Sequence, residues 1–171
     1  MNLLLTGPPA CGKTTVIVRV AAQRPDAVGF VTEQIRCGRT RIGFAIRNLR
    51  GGSGILAKAG LNSRYRVGRY GVDVAAFEAI ALPALAAEPR RGQLFLIDEI
   101  GKMECFSRRF TERLQQLLDS QADVIATVAR HGGGFIARVK QRPDIELIEL
   151  NRANRQQMPA ELLGRLPAPP R

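Results

Sequence analysis

The stretch that decides the fold is GPPACGKT, residues 7–14, followed by Thr15. It matches G-x-x-x-x-G-K-[ST], the spacing of a loop that cradles phosphate. An apolar run, NLLLT at 2–6, precedes it. After it, TTVIVRVAAQ at 14–23 has helical spacing until Pro25 stops it. Strand, glycine-rich loop and helix in that order are the context the motif requires, and they argue against an ordinary Gly-Pro turn. Gly7, Pro8, Pro9, Ala10 and Cys11 make the turn, with Cys11 a small apolar filler rather than a reactive thiol. Gly12 lets backbone N–H groups approach phosphate oxygens without a side-chain clash. Lys13 brings positive charge to β- and γ-phosphates, Thr14 offers a hydroxyl to Mg²⁺, and Thr15 extends the cradle.

Working outward, strand and helix patterns alternate. VGFVT at 28–32 and TRIGFAI at 40–46 read as a β-hairpin around the polar stretch 33–39. A short strand is expected at 55–59, and a loop or strand edge at 66–71. Asp73 is placed to cap a helix over 74–87 that Pro83 interrupts. Ser107 is placed to cap another helix through Asp119, with Phe110, Leu114, Leu117 and Leu118 on one face. Further strands are expected at 94–97, 122–128 and 145–150, with a short helix at 135–140 and partial helix at 151–163. The order implies an α/β fold, a mostly parallel central sheet with an early hairpin and helices on both faces. One domain over 1–166 is expected, with a frayed tail at 167–171.

The second informative stretch is LFLIDEIGKME, residues 94–104, an apolar run that ends in two acids. Asp98 is expected to hold Mg²⁺ from the strand beside the P-loop strand, and Glu99 to polarise an attacking water. Gly101 marks a bend that returns Lys102 toward phosphate or Glu99, with Glu104 orienting Lys102. A solvated Lys–Glu pair is the plainer reading of those two.

Composition narrows the class. The chain has 171 residues, 45% hydrophobic and 24% charged, which excludes a disordered chain. No apolar run reaches the roughly 20 residues of a membrane span, and no secretion leader is read at the start, so the cytoplasm is expected. Cys11, Cys37 and Cys105 lie far apart, without zinc-site spacing, and reduced thiols are expected. The net charge is +11, and with only four lysines, 22 of the 26 basic residues are arginine. Such charge favours anionic partners, nucleotides first and RNA as a possible second.

These segments together resemble the THEP1-type nucleoside-triphosphatases. The resemblance spans nearly the whole chain and rests on GPPACGKTT, GFVTEQIR at 29–36, RIGFAI at 41–46, VGRYGVD at 67–73 and IDEIGKMECFSRRF at 97–110. It implies a RecA-like P-loop core and Mg²⁺-dependent hydrolysis of ATP, GTP, CTP and UTP to diphosphate and phosphate. It also implies Lys13 and Thr14 as the P-loop pair, Asp98 as the Walker B acid and metal ligand, and Glu99 as the base. Asn154 and Arg155 resemble the family's Asn-Arg pair, facing the base of the nucleotide. In VGRYGVD, Tyr70 is a candidate to stack on that base, or else packs under the hairpin. Arg69 is the favoured arginine for the γ-phosphate, with Arg36, Arg108, Arg130 and Arg138 as alternatives. His131 reads as a loop residue. A nucleoside or nucleotide kinase, or a nucleotide-dependent RNA-binding factor, is the competing reading, and a monomer is expected.

Overall fold

The computed structural model describes residues 1–167 and builds a nine-stranded mixed sheet. In chain order the strands are β1 (Asn2–Thr6), β2 (Val28–Cys37), β3 (Thr40–Asn48), β4 (Ser53–Ala59), β5 (Arg66–Val67), β6 (Tyr70–Val72), β7 (Leu94–Ile100), β8 (Asp123–Val128) and β9 (Ile145–Glu149). Across the sheet they run β5-β6-β4-β3-β2-β7-β8-β1-β9. From β2 to β9 every pairing is parallel. From β2 outward to β5 every pairing is antiparallel. The expected hairpin is therefore the first part of a larger antiparallel wing. Its strands run longer than read, because 33–37 stay paired across the hairpin although Glu33, Gln34 and Arg36 are polar.

The helices are α1 (Lys13–Gln23), α2 (Val74–Ala84), α3 (Arg108–Leu118), α4 (Phe135–Lys140) and α5 (Met158–Arg165). On one face, Val16, Ile17 and Val20 of α1 bury against Leu3, Leu5, Leu96 and Ile125. On the other, α2 and α3 cover Phe30, Ile97 and Val124. Phe30, Phe77 and Phe110 meet edge-on there, with centroids 5.3–5.8 Å apart. Each such ring pair adds about 0.5–1.5 kcal/mol to simple burial. The caps fall where the sequence places them. Asp73 Oδ1 accepts from Ala76 N at 2.9 Å, and Ser107 Oγ accepts from Phe110 N at 3.0 Å. α2 stops at Ala84, three residues short of the expected end, with Pro83 in its last turn. Of the expected tail, 168–171 lie outside the described residues.

This topology places the chemistry. β1, β7 and β8 end at the same edge of the sheet, the edge where parallel α/β sheets hold ligands. β8 lies between β1 and β7. Asp98 therefore does not come from the strand beside the P-loop strand, as the sequence reading had it. One strand intervenes, and it contributes to the site.

Candidate active site

The loop between β1 and α1 turns sharply. Ala10 takes φ 60° and Gly12 φ 108°, left-handed conformations that fold successive backbone N–H groups into an anion-binding nest at the start of α1. Arg155 lies against Gly12, its Cδ 3.4 Å from where a Cβ would stand. Cys11 points away from the nest into the apolar layer around Leu5 and Val16. Lys13 Nζ donates to the Gly7 carbonyl at 3.2 Å and the Pro8 carbonyl at 3.5 Å. These long bonds hold an ammonium at the mouth of the nest.

Below it, Asp98 is buried and its carboxylate is fully engaged. Thr127 Oγ1 donates to Oδ1 at 2.6 Å, and Thr14 Oγ1 donates to Oδ2 at 2.8 Å. Thr32 N donates to Oδ2 at 3.4 Å. Burial pushes the Asp98 pKa up, while the bonds from Thr127, Thr14 and Thr32 and the charge of Lys13 pull it down. Thr127 comes from the intervening strand β8, and the sequence reading missed it. Its signal was there: after Asp123, the run VIATV at 124–128 is apolar except for this threonine near its C-terminal end.

Glu99 lines the cleft wall with Lys13, Thr14 and Thr32. Burial raises its pKa, the Lys13 charge lowers it, and Asp98 raises it again. The cleft, about 760 Å³, continues along the hairpin past Glu33, Gln34 and Phe44 and across to Ala129, Arg130 and His131. Arg130 is the one alternative arginine from the sequence that lines it. Lys140 donates to the Arg130 carbonyl at 2.7 Å, bracing that wall.

Several expected site residues lie elsewhere. Arg69 is exposed at the β5–β6 turn, where it donates to the Arg41 carbonyl and the Tyr70 hydroxyl. It is not among the residues that line the cleft, and strands β4 and β3 separate β6 from β2. Tyr70 is buried and meets Phe44 edge-on at 5.3 Å. It braces an aromatic ring that lines the cleft instead of stacking on a base itself. Lys102 is exposed and does not line the cleft. Asn154 ties its own loop, with Nδ2 donating to the Glu149 carbonyl at 2.9 Å and Oδ1 accepting from Asn151 N at 2.9 Å. Arg155, Gln156, Arg19 and Thr15 line a small adjoining recess.

Glu104 does not orient Lys102. It sits in a short 3₁₀ turn, Glu104–Phe106, and is buried behind Gly101. A Cβ on Gly101 would stand 2.6 Å from Glu104 Oε2 and 3.3 Å from Glu99 Oε1, so the two carboxyl groups converge where only glycine fits. Burial, then the neighbouring Glu99, lifts the Glu104 pKa from 4.5 to about 8. A carboxyl that holds its proton more tightly when folded stabilises fully below its unfolded pKa, and that contribution is lost as pH rises through the folded value. Glu104→Gln has no such titration. Thermal unfolding at pH 5 and pH 8 should therefore show the parent losing stability relative to the variant by a few kcal/mol, about 1.4 per pKa unit. An equal gap at both pH values means that Glu104 is not held protonated.

A family model described as NTPase matches residues 2–163. The nucleoside-triphosphatase THEP1 of Thermotoga maritima is 42% identical over 164 residues, covering 96% of this chain and 94% of that protein. The crystal structure of THEP1 from the hyperthermophile Aquifex aeolicus superimposes with a TM-score of 0.90 at 34% identity, covering 98% of this chain and all of that one. The solution structure of a human cancer-related nucleoside triphosphatase gives a TM-score of 0.81 at 32% identity, covering 95% of each chain.

Proposed function

Because the chain belongs to the THEP1 nucleoside-triphosphatase family, α/β P-loop enzymes of the RecA-like kind that hydrolyse nucleoside triphosphates, we propose that the cleft between the nest and Asp98-Glu99 is where it does so. In this reading the reaction needs Mg²⁺ and accepts ATP, GTP, CTP and UTP alike, and a single domain over 1–166, working as a monomer, carries it out. The observation that carries the reading is the line Thr14–Asp98–Thr127 under Lys13, with Glu99 next along the wall.

The donor set fits a hard divalent ion. Thr14 and Asp98 offer oxygen only, 2.8 Å apart, beside the phosphate nest. Thr14 and Asp98 would hold the ion, with water and phosphate oxygens as its further ligands. When bound, Mg²⁺ supplies positive charge to the β- and γ-oxygens. Lys13 leaves its two carbonyl partners for the same oxygens, and the nest amides hold the leaving diphosphate. Glu99 orients a water for in-line attack on the γ-phosphorus and takes its proton. A carboxylate with its pKa raised by burial is a better proton acceptor than an exposed one. Thr127 and Thr32 keep Asp98 fixed while charge moves nearby.

Base tolerance follows from where the binding energy lies. The recess beside Thr15 is lined by Arg19, Arg155 and Gln156, and Arg19 already donates to Gln156 at 3.0 Å on the surface. Long side chains of this kind, Arg19 and Gln156 exposed and Arg155 half-buried, read no base edge strictly, and the energy stays on the triphosphate. Phosphate release with the four triphosphates tests this. Their kcat/KM values should fall within about tenfold of one another, vanish in EDTA and return with Mg²⁺. A single strongly favoured base contradicts the breadth, and EDTA-resistant turnover contradicts the metal. Diphosphate formed without free phosphate, and only when a nucleoside or nucleotide acceptor is added, favours the kinase reading.

A further inference from the structure

The charge of the molecule is not spread evenly. Residues 34–72 hold nine of the 26 basic residues and none of the 15 acidic ones. The remaining 17 basic residues are nearly matched by all the acids, so a general taste for arginine does not account for the contrast. This acid-free stretch is the antiparallel wing, from the outer half of β2 to β6. Among the described residues, only Arg47 has an acidic partner there, Glu33 at 3.3 Å. The other eight cations are exposed. Unneutralised cations at this density repel one another, and a polyanion relieves that repulsion.

We propose that the wing binds single-stranded RNA. Eight of the nine cations are arginine, whose planar fork chelates phosphate and stacks on unpaired bases. The cations occupy both sides of the wing. Arg41 and Arg69 gather on the Tyr70 ring, 5.6 and 5.2 Å from its centroid, on the side that packs toward α2. Arg47 lies opposite Val31 in register, on the side that α1 covers farther in. Cations on two sides and at the tip, where Arg36 and Arg39 flank Gly38, suit a flexible strand that bends around the lobe more than a flat membrane or a straight duplex. A membrane surface would also want apolar anchors, and Ile55 is the only large apolar side chain exposed on the wing. The exposed Thr40, Ser53 and Asn62 offer oxygens to 2′-hydroxyl donors. None of the wing's cations lines the cleft, so they stand apart from the phosphate cradle.

The test is fluorescence anisotropy of a labelled oligouridine, about 20 nucleotides long, across a salt series, with the full chain. Arg39→Glu, Arg64→Glu and Arg66→Glu together should weaken binding by about tenfold or more and reduce the salt slope by about two, near 0.7 for each phosphate left without its cation. A control triple elsewhere, Arg90→Glu, Arg91→Glu and Arg108→Glu, makes the same change in net charge and should stay within about threefold of the parent. Neither set touches the cleft; circular dichroism and thermal unfolding check that both variants are folded, and nucleotide turnover without RNA is measured beside binding. Equal weakening by both sets overturns the proposal, as does no binding by the parent. Tighter binding of the parent to duplex DNA, an acidic peptide or anionic lipid vesicles overturns it too. A wing variant that loses only nucleotide kcat/KM assigns the charge to substrate steering instead.

Discussion

Glu99→Gln is expected to lower kcat by about 10²–10⁴-fold while leaving affinity for the Mg²⁺–nucleotide complex within a few-fold. The substitution keeps the side chain's size and a hydrogen-bonding end, so the cleft wall keeps its shape. What disappears is the proton acceptor. Two carboxylates line the cleft, Glu99 and, out on the hairpin, Glu33, which is paired with Arg47 at 3.3 Å; Asp98 is buried, with both oxygens accepting from threonine donors. Glu104, the nearest other acid along the chain, sits behind Gly101 and keeps its proton up to about pH 8, so it is a poor substitute base at neutral pH. Loss of charge at Glu99 removes the smaller cause of that rise, and burial, the larger one, still holds the Glu104 pKa up in the variant. A drop in kcat with KM almost unchanged is the signature of a group that acts in the transition state alone.

Lys13→Ala should damage both binding and turnover. The ammonium is the cation held at the nest by the Gly7 and Pro8 carbonyls, and no other lysine lines the cleft. A charge-assisted bond to phosphate is worth about 1.5–3 kcal/mol, so nucleotide affinity should fall roughly 10- to 100-fold. Charge that builds on the leaving oxygen loses its counter-charge as well, and removing one such fixed donor typically costs about a further 10²–10³ in kcat. Arg130, the other Lys or Arg side chain lining the cleft, already has an acidic partner in Glu149, at 3.6 Å. Binding of a non-hydrolysable triphosphate by calorimetry, beside steady-state phosphate release, separates the two losses. Near-parental release by the folded variant contradicts the placement of phosphate in this nest.

Much of this site is legible in the sequence because its parts are local. The nest, Lys13 and Thr14 occupy consecutive residues whose spacing the phosphate dictates, and Asp98-Glu99 sit at the visible end of an apolar run. The helix caps Asp73 and Ser107 are equally local, each needing only an acceptor three residues before a free N–H. What the sequence hides is long-range. Thr127 reaches Asp98 only because β8 is inserted between β1 and β7, and strand order is not written in either strand. Arg69 looks like a cleft residue by its glycine neighbours, yet its turn belongs to a strand at the far edge of the sheet. Tyr70 and Phe44 exchange roles for the same reason: antiparallel pairing through β4 puts Tyr70 behind Phe44, and Phe44 meets the cleft. Glu104 reads as a surface partner for Lys102, because burial of a carboxyl behind a glycine leaves no mark in composition. The acid-free wing was visible as a charge pattern, but its concentration on one lobe needed the fold.

Single-turnover hydrolysis by Glu99→Gln, run in water without any acceptor and beside equilibrium binding of a non-hydrolysable triphosphate, tests the central claim most directly. The account expects tight binding close to the parent's and a hydrolysis rate lower by about two decades or more. Hydrolysis within about threefold of the parent, with binding intact, contradicts it and removes Glu99 as the base.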